Sequence, residues 1–202
     1  MTSSGASRPG LFPSSDAKAS GVEVRTVQSR DADIDDLRAA EQLVRQSFGS
    51  GFRDDDWNHG LGGTHVFITD DTNAVLGHAA VVPRLIHHGT KALRVGYVEA
   101  VAVRSDLQGR GLGRLLMDRV ESIVRTEYQL GGLNAIENAV SFYLHRGWTL
   151  WTGATAATDR VGGIIATIND EDRIMLLGNI FDGDEIEQSS ILTCDWRPGD
   201  LW

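Results

Sequence analysis

Hydrophobic and polar positions along the chain predict a mixed succession of strands and helices. Residues 22–28 alternate between apolar and polar side chains, which is typical of a half-buried strand. Asp33 directly precedes apolar residues at helical spacing, and an aspartate in this position caps a helix N-terminus. The predicted helix carries Ile34, Leu37, Leu43, Val44 and Phe48, and the segment Gly49-Ser50-Gly51 ends it.

Further strands and helices follow, separated by short turns. Residues 54–59 predict an acidic helix or turn, since aspartates are favourable in the first turn of a helix. A longer helix after residue 113 has Leu115, Leu116, Val120 and Val124 at helical spacing. The other predicted elements are a helix at 137–145 and strands at 65–69, 74–83, 85–88, 93–104, 128–134, 149–153, 173–177 and 191–194, with 85–88 paired to 93–104.

This order of elements predicts an α/β (α+β) domain over residues 22–202, in which helices flank a mixed, mostly antiparallel central sheet. Residues 1–21 are rich in Ser, Gly and Pro and contain no apolar segment, so we expect a disordered N-terminal tail and no secretory signal. The pattern weakens over residues 154–169 and predicts no element there. The acidic stretch at 181–188 predicts a loop.

Composition narrows the classes of partner. The net charge of −9 argues against a nucleic-acid partner, in spite of several arginines around residues 104–125, and is compatible with a cationic one. No apolar run is long enough for a membrane span. The single cysteine, Cys194, excludes an internal disulfide and favours a reducing compartment, so we expect a cytoplasmic protein. The six histidines show no metal-ligand spacing, and we expect no metal.

The glycine-rich stretch at residues 108–113, Gln-Gly-Arg-Gly-Leu-Gly, is the strongest chemical signal. It lies between an apolar strand and an amphipathic helix, which is how proteins build a phosphate-binding turn on unpaired backbone N–H groups. The Walker pattern does not fit, because no Gly-Lys-Ser/Thr is present. The dinucleotide pattern G-x-G-x-x-G does not fit either, because the glycines stand at 109, 111 and 113.

The stretch instead matches Q-x-x-G-x-G/A and so resembles the GNAT superfamily of acetyl-CoA-dependent N-acetyltransferases. The resemblance implies the GNAT fold, acetyl-CoA as co-substrate, and loop amides that hold the CoA pyrophosphate. Arginine side chains in the loop suit phosphate oxygens, because guanidinium groups form charge-assisted hydrogen bonds. The positions implied for CoA binding are Val101, Val103, Gln108, Gly109, Arg110, Gly111, Leu112, Gly113 and Arg114.

A second motif supports the same family. Ala139, Phe142, Tyr143, Gly147 and Trp148 match its short helix, while Ile136 stands where the family usually has Asn. The resemblance implies that the Tyr143 hydroxyl protonates the departing CoA thiolate as general acid.

The predicted strand before the glycine loop supplies the other catalytic groups. By the same resemblance, a backbone N–H near Val101 polarises the thioester carbonyl. Glu99 is a lone charge in an apolar strand, so we expect it to face a cavity and accept a proton from the amine. The alternative for Glu99 is a structural ion pair with Arg94 or Arg104.

Several segments, above all the ending Asp195-Trp196-Arg197-Pro198-Gly199-Asp200-Leu201-Trp202, resemble the aminoglycoside 2'-N-acetyltransferases within this superfamily. That resemblance implies a cationic aminoglycoside substrate, antibiotic resistance, and direct transfer without an acyl-enzyme. The implied substrate contacts are Asp56, Glu99, Asn134, Asp200 and Trp202, the last with its α-carboxylate beside an indole platform.

Two departures from that branch leave the drug open. Gly51 stands where an acidic residue is common, and Asn134 where a small hydroxyl residue is expected, so kasugamycin stays beside gentamicin- or tobramycin-like drugs. The alternative functions are acetylation of a polyamine, a metabolite amine or a protein N-terminus. A non-catalytic acyl-CoA sensor is a further alternative, against which Tyr143 and Glu99 argue. Relatives are often dimers, so a homodimer is also an option.

Overall fold

The computed structural model of the chain describes residues 18–19, 21–167, 172–178 and 188–202. The helices are α1 Ile34–Phe48, α2 Asp54–Gly60, α3 Leu112–Glu127 and α4 Val140–His145. The strands are β1 Lys18–Ala19, β2 Val22–Gln28, β3 Thr64–Asp70, β4 Val75–His88, β5 Lys91–Val103, β6 Leu130–Asn134, β7 Thr149–Leu150, β8 Thr155–Thr158, β9 Ile164–Ala166, β10 Ile174–Leu177 and β11 Leu192–Cys194. Most of the predicted tail and the predicted loop at 181–188 lie outside the described residues, although β1 pairs with β2.

The described strands form one mixed sheet in the order β1-β2-β3-β4-β5-β6-β10-β7. β11 pairs with β4 and leads on to β8 and β9. Neighbouring strands are antiparallel except for β5 with β6 and β8 with β11. The predicted mixed, mostly antiparallel sheet with flanking helices is therefore confirmed.

Helix α1 follows the prediction from its sequence. The Asp33 side chain accepts a hydrogen bond from the Asp35 N–H at 2.8 Å, which satisfies a free donor of the first turn. Gly49 ends the helix with φ +71°, a conformation that favours glycine. Helix α3 buries Leu116 and Val120 against the sheet, in line with the apolar spacing seen in the sequence.

The strand prediction is wrong at β4, which is continuous where two strands at 74–83 and 85–88 were expected. Pro83 pairs with Gly96 of β5 on one edge. On the other edge, β3 reaches Val81 and β11 begins at Ile86, so Pro83 lies in the interval between them. A strand tolerates a proline where no neighbour needs its missing N–H. The weakly patterned residues 154–169 also contain strands, β8 and β9.

The pairing between β5 and β6 is short and leaves a cleft. The two strands are in register at Val95, Gly96 and Tyr97 and at no later residue of β5. Gly132 of β6 allows this close approach, because an added Cβ would lie 2.9 Å from the Tyr97 ring. Beyond Tyr97, β5 stays paired with β4 but has no partner on the β6 side, and the space on that side is open to a ligand.

Candidate active site

A cavity of about 370 Å³ opens beside the free half of β5. Its walls come from α2, β5, β6, α4 and the C-terminal segment, which are far apart in the sequence. The residues predicted as catalytic or substrate-binding all line it: Asp56, Glu99, Asn134, Tyr143, Asp200 and Trp202. Val101, predicted to contact the pantetheine arm, lines it as well. The fold therefore brings together side chains that the sequence only placed in separate segments.

Glu99 has an ion pair inside this cavity. Its Oε1 lies 2.5 Å from Nη1 of Arg197, and the two side chains are 15% and 12% exposed. The alternative partners are engaged elsewhere, since Arg94 donates to the Glu127 carbonyl and Arg104 to Asp106. The Arg197 guanidinium thus forms a charge-assisted hydrogen bond with the Glu99 carboxylate, which lines the cavity.

The C-terminal segment is held against the cavity by cationic side chains. Buried Arg84 donates to Asp195 Oδ1 at 2.8 Å and to the Leu201 carbonyl at 2.7 Å. Arg197 also donates through Nε to the Asp200 carbonyl at 2.6 Å. Because these bonds span both ends of the segment, they fix its path across the mouth of the site.

His59 of α2 also contacts the C-terminal segment. Its Nε2 lies 2.6 Å from the Pro198 carbonyl oxygen, which can only accept, so Nε2 carries the hydrogen. Burial, and secondarily the charge of Arg197, lower the pKa of His59. In its neutral form the ring has Nδ1 as a hydrogen-bond acceptor.

The acidic residues of the site are partly compensated by Arg53. The backbone N–H of Arg53 donates to Asp56 Oδ2 at 2.7 Å, which closes the first turn of α2. The Arg53 guanidinium Nη2 lies 2.7 Å from Asp200 Oδ1. Asp56 is 18% exposed and Asp200 71%, so Asp200 is accessible to a ligand at the entrance in spite of its ion pair with Arg53.

Two of the predicted contacts differ in detail from expectation. The amide of Asn134 bridges β6 and β10, donating to Asp172 Oδ1 at 2.7 Å and accepting from the Arg173 N–H at 2.8 Å. Trp202 is only 4% exposed, and its Nε1 donates to Thr167 Oγ1 at 2.9 Å. The Trp202 indole therefore packs in the core and is not an open stacking face.

Tyr143 reaches the cavity from α4. Its ring packs edge-on against Phe142 and Trp148, with centroids 5.3 Å and 5.8 Å away. Trp148 and Arg146 in turn bind the buried carboxylate of Glu121 on α3, at 2.9 Å and 2.6 Å. These hydrogen bonds tie the residues that follow α4 to α3 and so hold Tyr143 in position. Burial raises the pKa of Tyr143 to about 12, so the phenol stays protonated and can donate.

A β-bulge lies in β5 directly after Glu99. Glu99 is in register with Ala80 of β4, and the next register pair joins Ala102 to His78. Ala100 and Val101 are thus left without register partners on β4, and Ala100 has φ +52°. A left-handed alanine costs free energy, and such strain is retained where surrounding contacts enforce it. The bulge turns the Ala100–Val101 peptide away from the ladder.

The glycine loop has the backbone of an anion-binding turn. Gly109 and Gly111 have φ +75° and +88°, and an added Cβ would meet no atom within 4 Å of either. Gly111 precedes α3 without a side-chain cap, so the first N–H groups of this helix remain available. Exposed Arg110 and Arg114 flank the turn. Gln108 donates to the Val103 carbonyl at 3.1 Å and so holds the loop in shape.

Arg53, His59 and Arg197 were missed by sequence reasoning as parts of the site. Arg197 stood within the quoted C-terminal motif, but no role was derived for it there. His59 lies in the predicted acidic helix or turn at 54–59, and the sequence gives it no further role. Within the described residues there is no cluster of three or more His, Cys, Asp or Glu side chains that could hold a metal.

Cys194 lies outside the cavity lining. It is fully buried, its thiol contacts the Leu201 carbonyl at 3.4 Å, and burial raises its pKa. A thiol in this state is a poor nucleophile. In the part of the chain that the structure describes, no helix is both long and apolar enough to cross a membrane.

Comparison with known proteins independently supports the resemblance to the GNAT superfamily. Residues 32–148 match the acetyltransferase (GNAT) family. The chain is 42% identical over 178 residues to the aminoglycoside 2'-N-acetyltransferase of Mycolicibacterium fortuitum, covering 88% of this chain and 91% of that protein.

Solved structures agree on the fold. A GNAT family N-acetyltransferase (YhbS) from Escherichia coli in complex with CoA has a TM-score of 0.59 and 17% identity, covering 88% of this chain and 92% of that one. Escherichia coli ElaA has a TM-score of 0.54 and 17% identity, covering 77% of this chain and 98% of that one.

Proposed function

The chain belongs to the GNAT family of acetyltransferases, and we propose that it transfers the acetyl group of acetyl-CoA to the 2'-amino group of an aminoglycoside antibiotic. The observation that carries this proposal is the single cavity that holds Asp56, Glu99, Tyr143 and Asp200 together. Its carboxylates suit a multiply protonated sugar, and the proposed acid and base line the same space. Such an activity gives resistance to the drug.

The donor side of the site suits acetyl-CoA. The left-handed glycines at 109 and 111 and the uncapped start of α3 fit a pyrophosphate, because unpaired N–H groups and the positive helix end attract anions. Arg110 and Arg114 would add charge-assisted bonds to phosphate oxygens. The free half of β5, with Val101 and Val103, would pair with the pantetheine arm. Bound acetyl-CoA supplies the activated thioester.

The proposed transfer is direct and uses residues of the cavity. Glu99 accepts a proton from the incoming ammonium, directly or through water, which frees the nitrogen lone pair for attack on the thioester carbon. The Val101 N–H stabilises the charge that develops on the carbonyl oxygen while the C–N bond forms. When the C–S bond breaks, Tyr143 gives its proton to the leaving sulfur. The second proton lost by nitrogen then replaces the one that Tyr143 gave up.

A substrate entering the cavity would meet arginine guanidinium groups as well as carboxylates. Arg197 occupies one side of Glu99, and Arg53 bridges Asp56 and Asp200, so an incoming ammonium must compete with these guanidinium groups. An acceptor with several ammonium groups can engage several carboxylates at once, which favours an aminoglycoside over a monoamine. The open space at Gly51, where an added Cβ meets no atom within 4 Å, keeps kasugamycin among the candidates.

A matched pair of drugs tests the proposal. Kanamycin B carries a 2'-amino group and kanamycin A a 2'-hydroxyl group, and they are otherwise the same. We expect thiol release from acetyl-CoA and an acetylated product with kanamycin B and tobramycin, and no turnover with kanamycin A. Kasugamycin and spermidine complete the panel.

The outcomes separate the alternatives. Equal turnover of both kanamycins would exclude the 2'-amine as the acceptor. Turnover of spermidine alone would assign the protein to polyamine acetylation. Tight acetyl-CoA binding without turnover of any amine would favour a sensor.

A further inference from the structure

We propose that a buried histidine pair, His65 and His78, positions the oxyanion-stabilising backbone of this enzyme by holding the Ala100–Val101 peptide in place. The inference rests on the proposed function to the extent that Val101 N–H is the group that polarises the thioester carbonyl. Neither histidine lines the cavity, so both act as positioning residues and not as catalytic ones.

A chain of hydrogen bonds runs from the surface of the sheet to the bulge. His78 Nδ1 lies 3.0 Å from the Ala100 carbonyl oxygen, and His78 Nε2 lies 2.9 Å from His65 Nδ1. His65 Nε2 lies 2.8 Å from the Ser29 hydroxyl, whose oxygen also accepts from the Gly62 N–H at 2.9 Å. The chain of hydrogen bonds thus begins at half-buried Ser29, in the 3-10 turn Ser29–Asp31, and ends on the peptide of β5 that follows the left-handed Ala100.

The carbonyl acceptor at the bulge determines the tautomers of both histidines. A carbonyl oxygen can only accept, so His78 Nδ1 carries a hydrogen, and the neutral ring then accepts at Nε2. His65 must therefore donate from Nδ1 and accept at Nε2. The single hydrogen of the Ser29 hydroxyl is shared between this nitrogen and the Gly63 carbonyl oxygen, which lies 3.0 Å from Ser29 Oγ. Burial lowers the pKa of His78 to about 3 and that of His65 to about 4, so both rings are neutral in the physiological range.

The surroundings leave His78 little freedom to turn. Trp57 and Phe67 pack against its ring with centroids 5.5 Å and 5.3 Å away, and both histidines are fully buried. The chain of hydrogen bonds contains no ionised side chain, since it consists of two neutral imidazole rings and a hydroxyl group. The ring is thus a rigid donor whose direction the core sets.

Because the peptide group is planar, fixing the Ala100 carbonyl also fixes the direction of the Val101 N–H. In a trans peptide the C=O and N–H bonds point in opposite directions within one plane. When His78 holds the Ala100 carbonyl on the core side, the Val101 N–H must point to the other side. Ala100 and Val101 both line the cavity, so that side is where the thioester would lie. The hydrogen bond also offsets the cost of the left-handed conformation at Ala100.

Three variants separate positioning from packing. His78→Leu removes the donor, His78→Asn keeps a donor near the place of Nδ1, and Val66→Ala is the matched control in the neighbouring core of β3. We expect His78→Leu to lower kcat with tobramycin by about 10- to 100-fold, the scale of a misplaced oxyanion donor, with little change in KM for acetyl-CoA. His78→Asn should recover most of kcat. Val66→Ala loses stability but keeps kcat.

A spectroscopic measurement reads the proposed contact directly. The infrared carbonyl band of bound [1-¹³C]acetyl-CoA should lie at lower frequency in wild type and His78→Asn, and move towards its free position in His78→Leu. The inference is overturned if His78→Leu shows the wild-type band and loses no more kcat than Val66→Ala.

The same measurement keeps this inference separate from the proposed acceptor. If wild type acetylates no 2'-amine, the proposed function fails, while the band shift between wild type and His78→Leu still decides the role of the histidines. Should His78→Leu not fold, His65→Leu removes the support behind His78 and should give a smaller band shift in the same direction. An unchanged band in His65→Leu would then count against the inference.

Discussion

Glu99 shows how much the role of one side chain depends on its neighbours. Its carboxylate would be costly to bury alone, and Arg197 relieves that cost at 2.5 Å. The same guanidinium lies over the Tyr97 ring at 5.4 Å and donates to the C-terminal segment, so it is held from several sides. At the residue scale, the proposed base is therefore inseparable from a cation that a protonated substrate would have to displace or share.

Tyr143 allows a clean test at this scale. Tyr143→Phe keeps the ring contacts with Phe142 and Trp148 but removes the proton donor, so we expect kcat to fall by roughly 100-fold with an unchanged melting temperature. Steady-state kinetics with tobramycin and a thermal melt give both values. Tyr128→Phe, in a tyrosine that packs on Gly96, is the control and should keep kcat. Equal turnover in both variants would remove Tyr143 from the mechanism.

At the scale of elements, the donor site depends on how a strand, a turn and a helix are joined. Strand β5 loses its β6 partner after Tyr97, bulges at Ala100, and then passes through the glycine loop into α3. Each break in regular structure frees backbone N–H or C=O groups that a thioester, a pantetheine arm or a pyrophosphate can use.

Gly111 tests the element that opens α3. Gly111→Ala must adopt φ +88°, which costs about 1–2 kcal/mol, or move the loop. We expect CoA affinity, measured by calorimetry, to fall by roughly 10-fold, because each 1.4 kcal/mol corresponds to that factor. Gly162→Ala is a matched control, since Gly162 also has φ +88° with no atom within 4 Å of an added Cβ. A loss of CoA affinity in both variants would point to general destabilisation.

At the scale of the whole molecule, we expect acid stability to depend on the buried histidine pair. The pKa of His65 is lowered from 6.5 to about 4 and that of His78 from 6.5 to about 3. Below pH 6.5 the unfolded chain binds protons at these rings while the folded chain does not. Their contribution to stability is therefore complete above pH 6.5 and is lost as the pH falls towards 4 and then 3.

Urea unfolding at pH 7.5, 6 and 5 checks this expectation. Wild type should lose stability steeply below pH 6.5, by about 1 kcal/mol per pH unit for each ring. The His65→Gln/His78→Asn double variant should be less stable at pH 7.5 but show a flatter pH dependence. His145→Gln, in an exposed residue of α4, is the control and should follow wild type. An equally steep slope in the double variant would assign the acid sensitivity to other groups.

Local features of the chain were predictable because their causes are local. The capping aspartate at position 33, the end of α1 at Gly49 and the apolar face of α3 each depend on residues within a few positions of one another. The glycine loop between a strand and a helix was visible for the same reason, and the resemblance it supports named seven of the residues that line the cavity. The extent of β4 was not predictable, since Pro83 is tolerated only because β3 and β11 leave an interval beside it.

The class of fold, the family and the set of side chains available for chemistry follow from the sequence. How those side chains are used depends on the tertiary structure. Glu99 and Arg197 are 98 positions apart, and the Ala100 carbonyl is 22 positions from the histidine that holds it. Periodicity reports which face of an element is buried but not which distant segment will cover it. The partners of a buried charge or carbonyl therefore become known only when the path of the chain is known.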